Sequence, residues 1–311
     1  MVQKPHWLPE LVDADVTILL RANGLDVEGV TDLIGRALAE DLDGGVDVTT
    51  IATVPVGQYS TMDLTARKPG VVAGAIVAAA VFDLVSNHEA DVEILVADGM
   101  PVEAGQVIVR VTGHTLALLT GERTALNIMC HLSGIATATA AWAQALEGTK
   151  AQVRDTRKTT PGMRRLEKYA VRCGGGVNHR MSFSDAALVK DNHVVAAGGV
   201  VNAFAAVRRK FPEVAIEVEV DSLEQLHEVV DAGADCVLLD NFSLEQMREA
   251  VEWTAGRARL EASGGLTIAD AKAVAATGVD FIAVGAITHS APILDIGADL
   301  HDAADPKKVS D

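Results

Sequence analysis

Apolar positions along the chain fall into two textures. In residues 30–42, Val30, Leu33, Ile34, Ala37 and Leu38 recur at helical spacing, with Asp32, Arg36, Glu40 and Asp41 on the remaining positions. Residues 61–74 read as strand broken at Pro69-Gly70, and residues 75–85 read as a helix. Val92, Ile94 and Val96 alternate, Asp98-Gly99 supplies a turn, and residues 107–111 alternate again. A long helix is expected over residues 116–146, bent near Gly134. This half is mixed α and β, without a repeat.

From residue 150 the rhythm changes. Short apolar runs recur at 151–154, 186–189, 215–220, 236–239, 258–260 and 281–284. Between them, segments 222–232 and 243–253 open with Ser and carry amphipathic spacing. Ala232-Gly233-Ala234 and Thr277-Gly278-Val279 mark helix-to-strand turns. Alternation of this kind predicts a parallel sheet. About six units in this length suit a small, incomplete barrel better than a full eight-unit one.

Composition narrows the function. Asp and Glu outnumber Lys and Arg by 43 to 26 in 311 residues, a net charge of −17. No nucleic-acid or anionic-membrane partner is expected of so acidic a chain. With 49% hydrophobic residues the chain can bury a large core. Cys130, Cys173 and Cys236 are scattered and odd in number, so neither a disulfide framework nor a zinc site is expected. The first 30 residues lack the pattern of a signal peptide, and a reducing cytoplasm fits. Residues 124–146 carry no formal charge but are rich in Ala and Thr, and read as a buried helix of a soluble protein.

Functional residues of such barrels sit just after each strand. Those positions hold Arg157-Lys158, Lys190, Glu219, Asp240, Glu261 with Ser263-Gly264-Gly265, and Gly285. Charge adds a second signal. Residues 154–180 hold eight cations against Asp155 and Glu167, an island of +6. Arg165, Lys168 and Arg172 read as the solvated face of a basic helix. Arg157-Lys158 at a strand end, and His179-Arg180 after a glycine triplet, read instead as holders of a polyanionic ligand bearing carboxylates or phosphates. Glu219 and Asp240 on sequential strands suggest a hard cation such as Mg²⁺, with salt bridges to the basic cluster as the plainer alternative. Ser263-Gly264-Gly265, and the small residues from Gly285 to Ser290, offer backbone N–H groups to phosphate.

Several ordered motifs resemble the quinolinate phosphoribosyltransferases, type II phosphoribosyltransferases. They include Gly121-Glu122-Arg123-Thr124, Leu132-Ser133-Gly134, Asp155-Thr156-Arg157-Lys158-Thr159-Thr160-Pro161-Gly162 and Asn178-His179-Arg180. Lys190-Asp191-Asn192-His193, Glu217-Val218-Glu219, Asp240-Asn241-Phe242 and Leu294-Asp295-Ile296-Gly297 follow in order. Cys130-His131 departs from the Gln-Arg frequent before Leu-Ser-Gly, and Val46 separates Gly45 from Asp47.

The resemblance implies an α/β fold in two parts. An N-terminal α/β sandwich-like domain would span 1–128, with 292–311 packing back on it. An incomplete α/β barrel would span 129–291. It implies transfer of a phosphoribosyl group from phosphoribosyl pyrophosphate to quinolinate, with loss of CO₂, in NAD biosynthesis. Arg157, His179, Arg180 and Lys190 would hold the quinolinate carboxylates, joined by Arg123 of a neighbouring subunit in a homodimer or higher oligomer. Lys158 would contact phosphoribosyl pyrophosphate. Glu219 and Asp240 would face the ribose and Mg²⁺-bound pyrophosphate. Ser263, Gly264, Gly265, Gly285 and His289 would surround the 5′-phosphate. Three readings stay open beside this one: transfer to nicotinate or another acid, a sugar-phosphate isomerase or aldolase using Lys190 as a Schiff base, and a non-catalytic sensor.

Overall fold

The computed structural model describes Pro5 and residues 7–302. In chain order the elements begin with helices α1 (Ala14–Ala22), α2 (Val27–Leu42) and α3 (Val48–Thr53), then strands β1 (Tyr59–Ala66) and β2 (Gly70–Val71). Helix α4 (Ala75–Val85), strands β3 (Asp91–Ile94), β4 (Pro101–Val102) and β5 (Val107–His114), and the long helix α5 (Thr115–Ala145) follow. Next come β6 (Gln152–Arg154), α6 (Arg164–Cys173), β7 (Ala186–Val189), α7 (Asp191–Ala197), α8 (Val200–Lys210) and β8 (Ala215–Val220). The chain continues through α9 (Leu223–Asp231), β9 (Cys236–Asp240), α10 (Leu244–Thr254), β10 (Arg259–Ser263), α11 (Ala271–Ala275), β11 (Phe281–Ala283), α12 (Ala286–His289) and β12 (Ile296–Asp302).

Two compact units result. The first runs to Thr137, inside α5, and takes up the chain again at Ala291; the second spans Ala138–Ser290. Part of the 292–311 segment expected to return to the first domain, residues 303–311, lies outside the described residues.

The first unit is built on an antiparallel sheet of order β12-β1-β5-β3. Met62, Leu64 and Ala66 of β1 are buried, as period-two alternation requires. On β1, Asp63 faces Arg110 of β5 in register and accepts a forked pair from its Nε and Nη2 at 2.7 and 2.9 Å. All eleven residues of α4 are buried. Asp98 caps α4 by accepting from the Ala75 N–H at 2.8 Å. Two small polar residues tie α5 to the backbone before α4. Ser133 accepts from Ala73 N–H and Thr137 from Val71 N–H. Gly134 between them is sterically required, since a Cβ there would lie 2.1 Å from the Pro292 carbonyl oxygen.

The second unit carries a six-stranded parallel sheet of order β6-β11-β10-β9-β8-β7. The first and second strands of this unit in the chain, β6 and β7, lie at opposite edges. No pairing between them closes the sheet among the described residues. This is the incomplete α/β barrel expected. The Ser-led helices also form as expected: Ser222 caps α9, and Ser243 caps α10 in a reciprocal box with Gln246. Two local differences matter below. Strand β10 extends to Ser263, so Glu261 lies within the strand rather than after it. Ser263-Gly264-Gly265 leads into a single 3₁₀ turn, Ile268–Asp270, before the five-residue α11. Among the described residues no helix is long and apolar enough to cross a membrane.

Candidate active site

The carboxyl ends of the parallel strands surround a cavity of about 260 Å³. Thr156, Arg157 and Lys158 line it after β6, Lys190 after β7, Glu219 on β8, and Glu261 and Ser263 on β10. His179 and Arg180 enter from the segment after α6.

A buried ion pair positions that segment. Lys168 of α6 and Asp155 after β6 both have fully buried side chains, and the ammonium is bonded to the carboxylate. Lys168 also donates to the His179 carbonyl at 2.9 Å. Asp155 accepts from the His179 N–H at 2.8 Å and from Asn178 Nδ2 at 2.5 Å. Burial pushes the Asp155 carboxyl up and pulls the Lys168 ammonium down, and each charge opposes the other's shift. Lys168 is therefore not part of a solvated helix face, as its local sequence implied. Arg165 and Arg172 are exposed, as expected.

Below the cavity lies a layer of charge that strand alternation creates. Glu217 and Glu219 are two residues apart on β8, as are Glu261 and Ser263 on β10. His179 Nε2 meets Glu217 Oε2 at 2.5 Å. Arg154 Nη1 donates to Glu261 Oε2 at 2.6 Å and to Glu217 Oε1 at 3.5 Å. Burial pulls the Glu217 carboxyl up, but His179 and Arg154 outweigh it and hold the group below its ordinary value. Burial and the neighbouring Glu217 charge push Glu261 up to about 8. Burial also raises the Cys236 thiol, which donates to Glu217.

His179, Glu217 and Glu261 hold their ligand atoms within 4.8 Å of one another, the spacing of a metal site. The Arg154 guanidinium already contacts both carboxyl groups there, so the cation at that place is a side chain.

The cavity is short of anions. Arg157 Nε and Arg180 Nε are buried without a hydrogen-bond partner. Phe183 stacks its ring 3.7 Å from the Arg157 guanidinium carbon and 5.5 Å from that of Arg180. Burial lowers the Arg180 pKa, and the charge of Arg157 adds to the shift. Unsatisfied guanidinium donors under mutual repulsion suit a carboxylate ligand. Lys190 is ion-paired with Glu219 and exposed. A Schiff-base lysine needs an apolar pocket or a neighbouring cation instead, so the isomerase and aldolase reading loses its main support.

The remaining predicted residues sit around this centre. Asp240 shares an adjoining cavity of about 230 Å³ with Glu219, Asp191 and Asp221. Gly264 lies against Asn241, and a Cβ at Gly264 would fall 2.3 Å from the Asn241 Oδ1. Its φ of +118° is also one that glycine alone adopts readily. Gly265 is exposed. A Cβ at Gly285 would meet both Lys158 and His289, at 3.1 and 3.3 Å. Thr288 of α12 donates to the Lys158 carbonyl at 2.8 Å and ties the two segments together. Arg123 is on α5 in the first unit, exposed, with Glu122 at 4.0 Å, and is not among the residues lining the cavity.

A cationic cavity at the carboxyl end of an open parallel barrel, backed by a charged layer, suits an enzyme acting on polyanions. The comparisons make this specific. The chain matches the family models for the quinolinate phosphoribosyl transferase N-terminal domain over residues 47–133 and C-terminal domain over residues 135–299. A nicotinate-nucleotide pyrophosphorylase [carboxylating] of Mycobacterium leprae is 52% identical over 279 residues, covering 88% of this chain and 98% of the relative. A probable enzyme of the same name from Bacillus subtilis is 38% identical, covering 86% and 92%. The solved nicotinate-nucleotide pyrophosphorylase of Francisella tularensis superposes with a TM-score of 0.86 at 37% identity, covering 90% of this chain and 98% of that one. The chain belongs to the quinolinate phosphoribosyltransferase family and is a phosphoribosyltransferase of pyridine-nucleotide biosynthesis.

Proposed function

We propose that the cavity of the second unit joins quinolinate to phosphoribosyl pyrophosphate, giving nicotinate mononucleotide, pyrophosphate and CO₂. The observation that carries this assignment is the pair of guanidinium groups, Arg157 and Arg180, whose buried Nε atoms lack partners in one cavity with Lys190 and His179. Several cations converging there suit two carboxylates on one ring better than one. Arg157, Arg180 and Lys190 orient the acid, with His179 beside them. Arg123 of a second copy adds a further cation in a homodimer or higher oligomer. A cytoplasmic location belongs to the same reading.

The attacking pyridine nitrogen already carries a lone pair, so the transfer needs no general base. Positioning supplies most of the catalysis. Departure of pyrophosphate builds positive character on the ribose, which the Glu219 carboxylate offsets at the cavity wall. Lys158 takes the growing charge of the leaving pyrophosphate. Ser263, Gly264, Gly265, Gly285 and His289 hold the 5′-phosphate beside it.

Glu219 and Asp240 face one cavity with two more aspartates, an all-oxygen donor set that fits a hard divalent cation. These two carboxylates would hold Mg²⁺, which neutralises pyrophosphate charge when bound. Asp240→Asn is expected to lower turnover and raise the Mg²⁺ concentration needed for half-maximal rate, leaving the urea midpoint unchanged. A steady-state Mg²⁺ titration checks this, and an unchanged midpoint for the metal overturns the assignment.

The reaction itself is tested by measuring pyrophosphate and CO₂ together. Equal release with quinolinate, and neither product with nicotinate, is the expected result. Pyrophosphate release with nicotinate, or equal release with quinolinate after Arg157 and Arg180 are both replaced, would overturn the assignment of the acid to this cavity.

A further inference from the structure

Glu261 has no part in the transfer step, yet it lines the cavity and is 1% exposed. Its Oε2 accepts from Arg154, whereas its Oε1 is buried with no hydrogen-bond partner. A carboxylate in that position leaves lone pairs unmet in a buried site. A carboxylic acid carries a proton there instead, free to be donated. Arg154 and Asp155 face Glu261 from the end of β6, Glu217 from β8 and Cys236 from β9. His179 and Glu217 hold ligand atoms within 4.8 Å of it. Burial and Glu217 prevail over Arg154, so Glu261 holds its proton at neutral pH.

The second half of the reaction needs such a proton. After phosphoribosyl transfer the ring nitrogen is cationic. The bond between the neighbouring ring carbon and its carboxylate then breaks, CO₂ leaves, and the electron pair stays on that carbon. Until that carbon is protonated the pair can recapture CO₂, so proton transfer commits the loss and sets the net rate of CO₂ release. Arg157 and Arg180 do not give up protons, because a guanidinium stays charged. The Lys190 ammonium is held by Glu219, His179 Nε2 is engaged with Glu217, and Lys158 is assigned above to the leaving pyrophosphate.

We propose that Glu261 is the acid that protonates the ring carbon vacated by CO₂. Its O–H bond breaks as the C–H bond forms, and the resulting carboxylate is held by Arg154. Water entering after product release returns the proton. This step rests on the reaction proposed above.

The test is a single turnover with the full-length enzyme in excess over quinolinate labelled in the carboxyl that is lost, following pyrophosphate and CO₂ separately. In Glu261→Gln, pyrophosphate release is expected to stay within about threefold of the parent. CO₂ release is expected to fall by about 10²-fold, the usual reach of general acid catalysis. The phosphoribosylated dicarboxylate then accumulates and is identified by mass. If the two releases stay equal, or fall together, Glu261 is not the proton donor. Where the variant does not fold, the parent enzyme decides. The fraction of turnovers stopping at the dicarboxylate nucleotide should climb above about pH 8, as the acid ionises. A fraction constant from about pH 6 to 10 overturns the proposal. Failure of the parent to release pyrophosphate with quinolinate would sink the reaction itself, a different outcome from coupled release in the variant.

Discussion

Lys168→Met is expected to destabilise the second unit by about 3–5 kcal/mol, the cost of leaving one half of a buried ion pair uncompensated. The Asp155 carboxylate would remain at zero exposure with the Lys168 ammonium bonded to it removed. The loss extends to the site, because Asp155 and Lys168 hold opposite ends of one peptide segment. Asp155 binds the His179 N–H, and Lys168 binds the His179 carbonyl. The segment that aims His179 and Arg180 thus depends on the pair. Urea unfolding checks the stability change, and quinolinate kinetics check the site. Replacing both partners, as Asp155→Leu with Lys168→Met, removes the unpaired charge and should recover much of the stability. Activity should not return with it, since the His179 backbone then has lost both anchors. A Lys168→Met variant within about 1 kcal/mol of the parent would show that the pair carries neither role.

That ion pair marks where reading the sequence stops. The six strands were legible because a parallel strand covered on both faces is a short continuous apolar run. Arg157, Lys158, Lys190, Glu219 and Ser263 could be placed together because topology brings the carboxyl ends of parallel strands to one rim. Ser222 and Ser243 announced their helices by local capping, which needs no tertiary information. Lys168 carries no comparable signal. It lies among Arg164, Arg165 and Arg172 on a short basic helix, and its burial depends on Asp155, thirteen residues earlier, and on the His179 carbonyl.

Glu217 and Glu261 were legible in part. The alternation Glu217-Val218-Glu219 places both carboxylates on one face of β8, so a charged layer beneath the cavity follows from period two alone. Ending the fifth apolar run at residue 260 moved Glu261 into a loop and hid its place in that layer. The stacking of Phe183 on two guanidiniums was not legible, because an exposed aromatic residue in a polar loop has no periodic neighbour to assign its face.

Arg157→Met should separate binding from folding. A buried, charge-assisted contact to one carboxylate of the substrate is worth about 2–5 kcal/mol when its partner is truncated. The variant should therefore lose roughly 30- to 5,000-fold in kcat/KM for quinolinate. Stability should respond in the other direction, or not at all. Arg157 contributes no salt bridge among the described residues, its Nε has no partner, and its charge disfavours that of Arg180. Against this stands the Phe183 stacking, worth about 0.5–1 kcal/mol at an exposed ring. The two effects oppose each other, so the melting temperature of the ligand-free protein should not fall by more than a few degrees. Arg157→Lys sharpens the test, because it keeps the charge but removes the planar fork. If the cavity reads two carboxylates by geometry, the lysine variant should recover only a small part of the lost kcat/KM. Full recovery would mean that charge alone suffices, and a large drop in melting temperature in the methionine variant would make Arg157 a structural residue. A receptor built for a dianion keeps its cations unsatisfied until the substrate arrives, and removing one relieves the protein while disabling it.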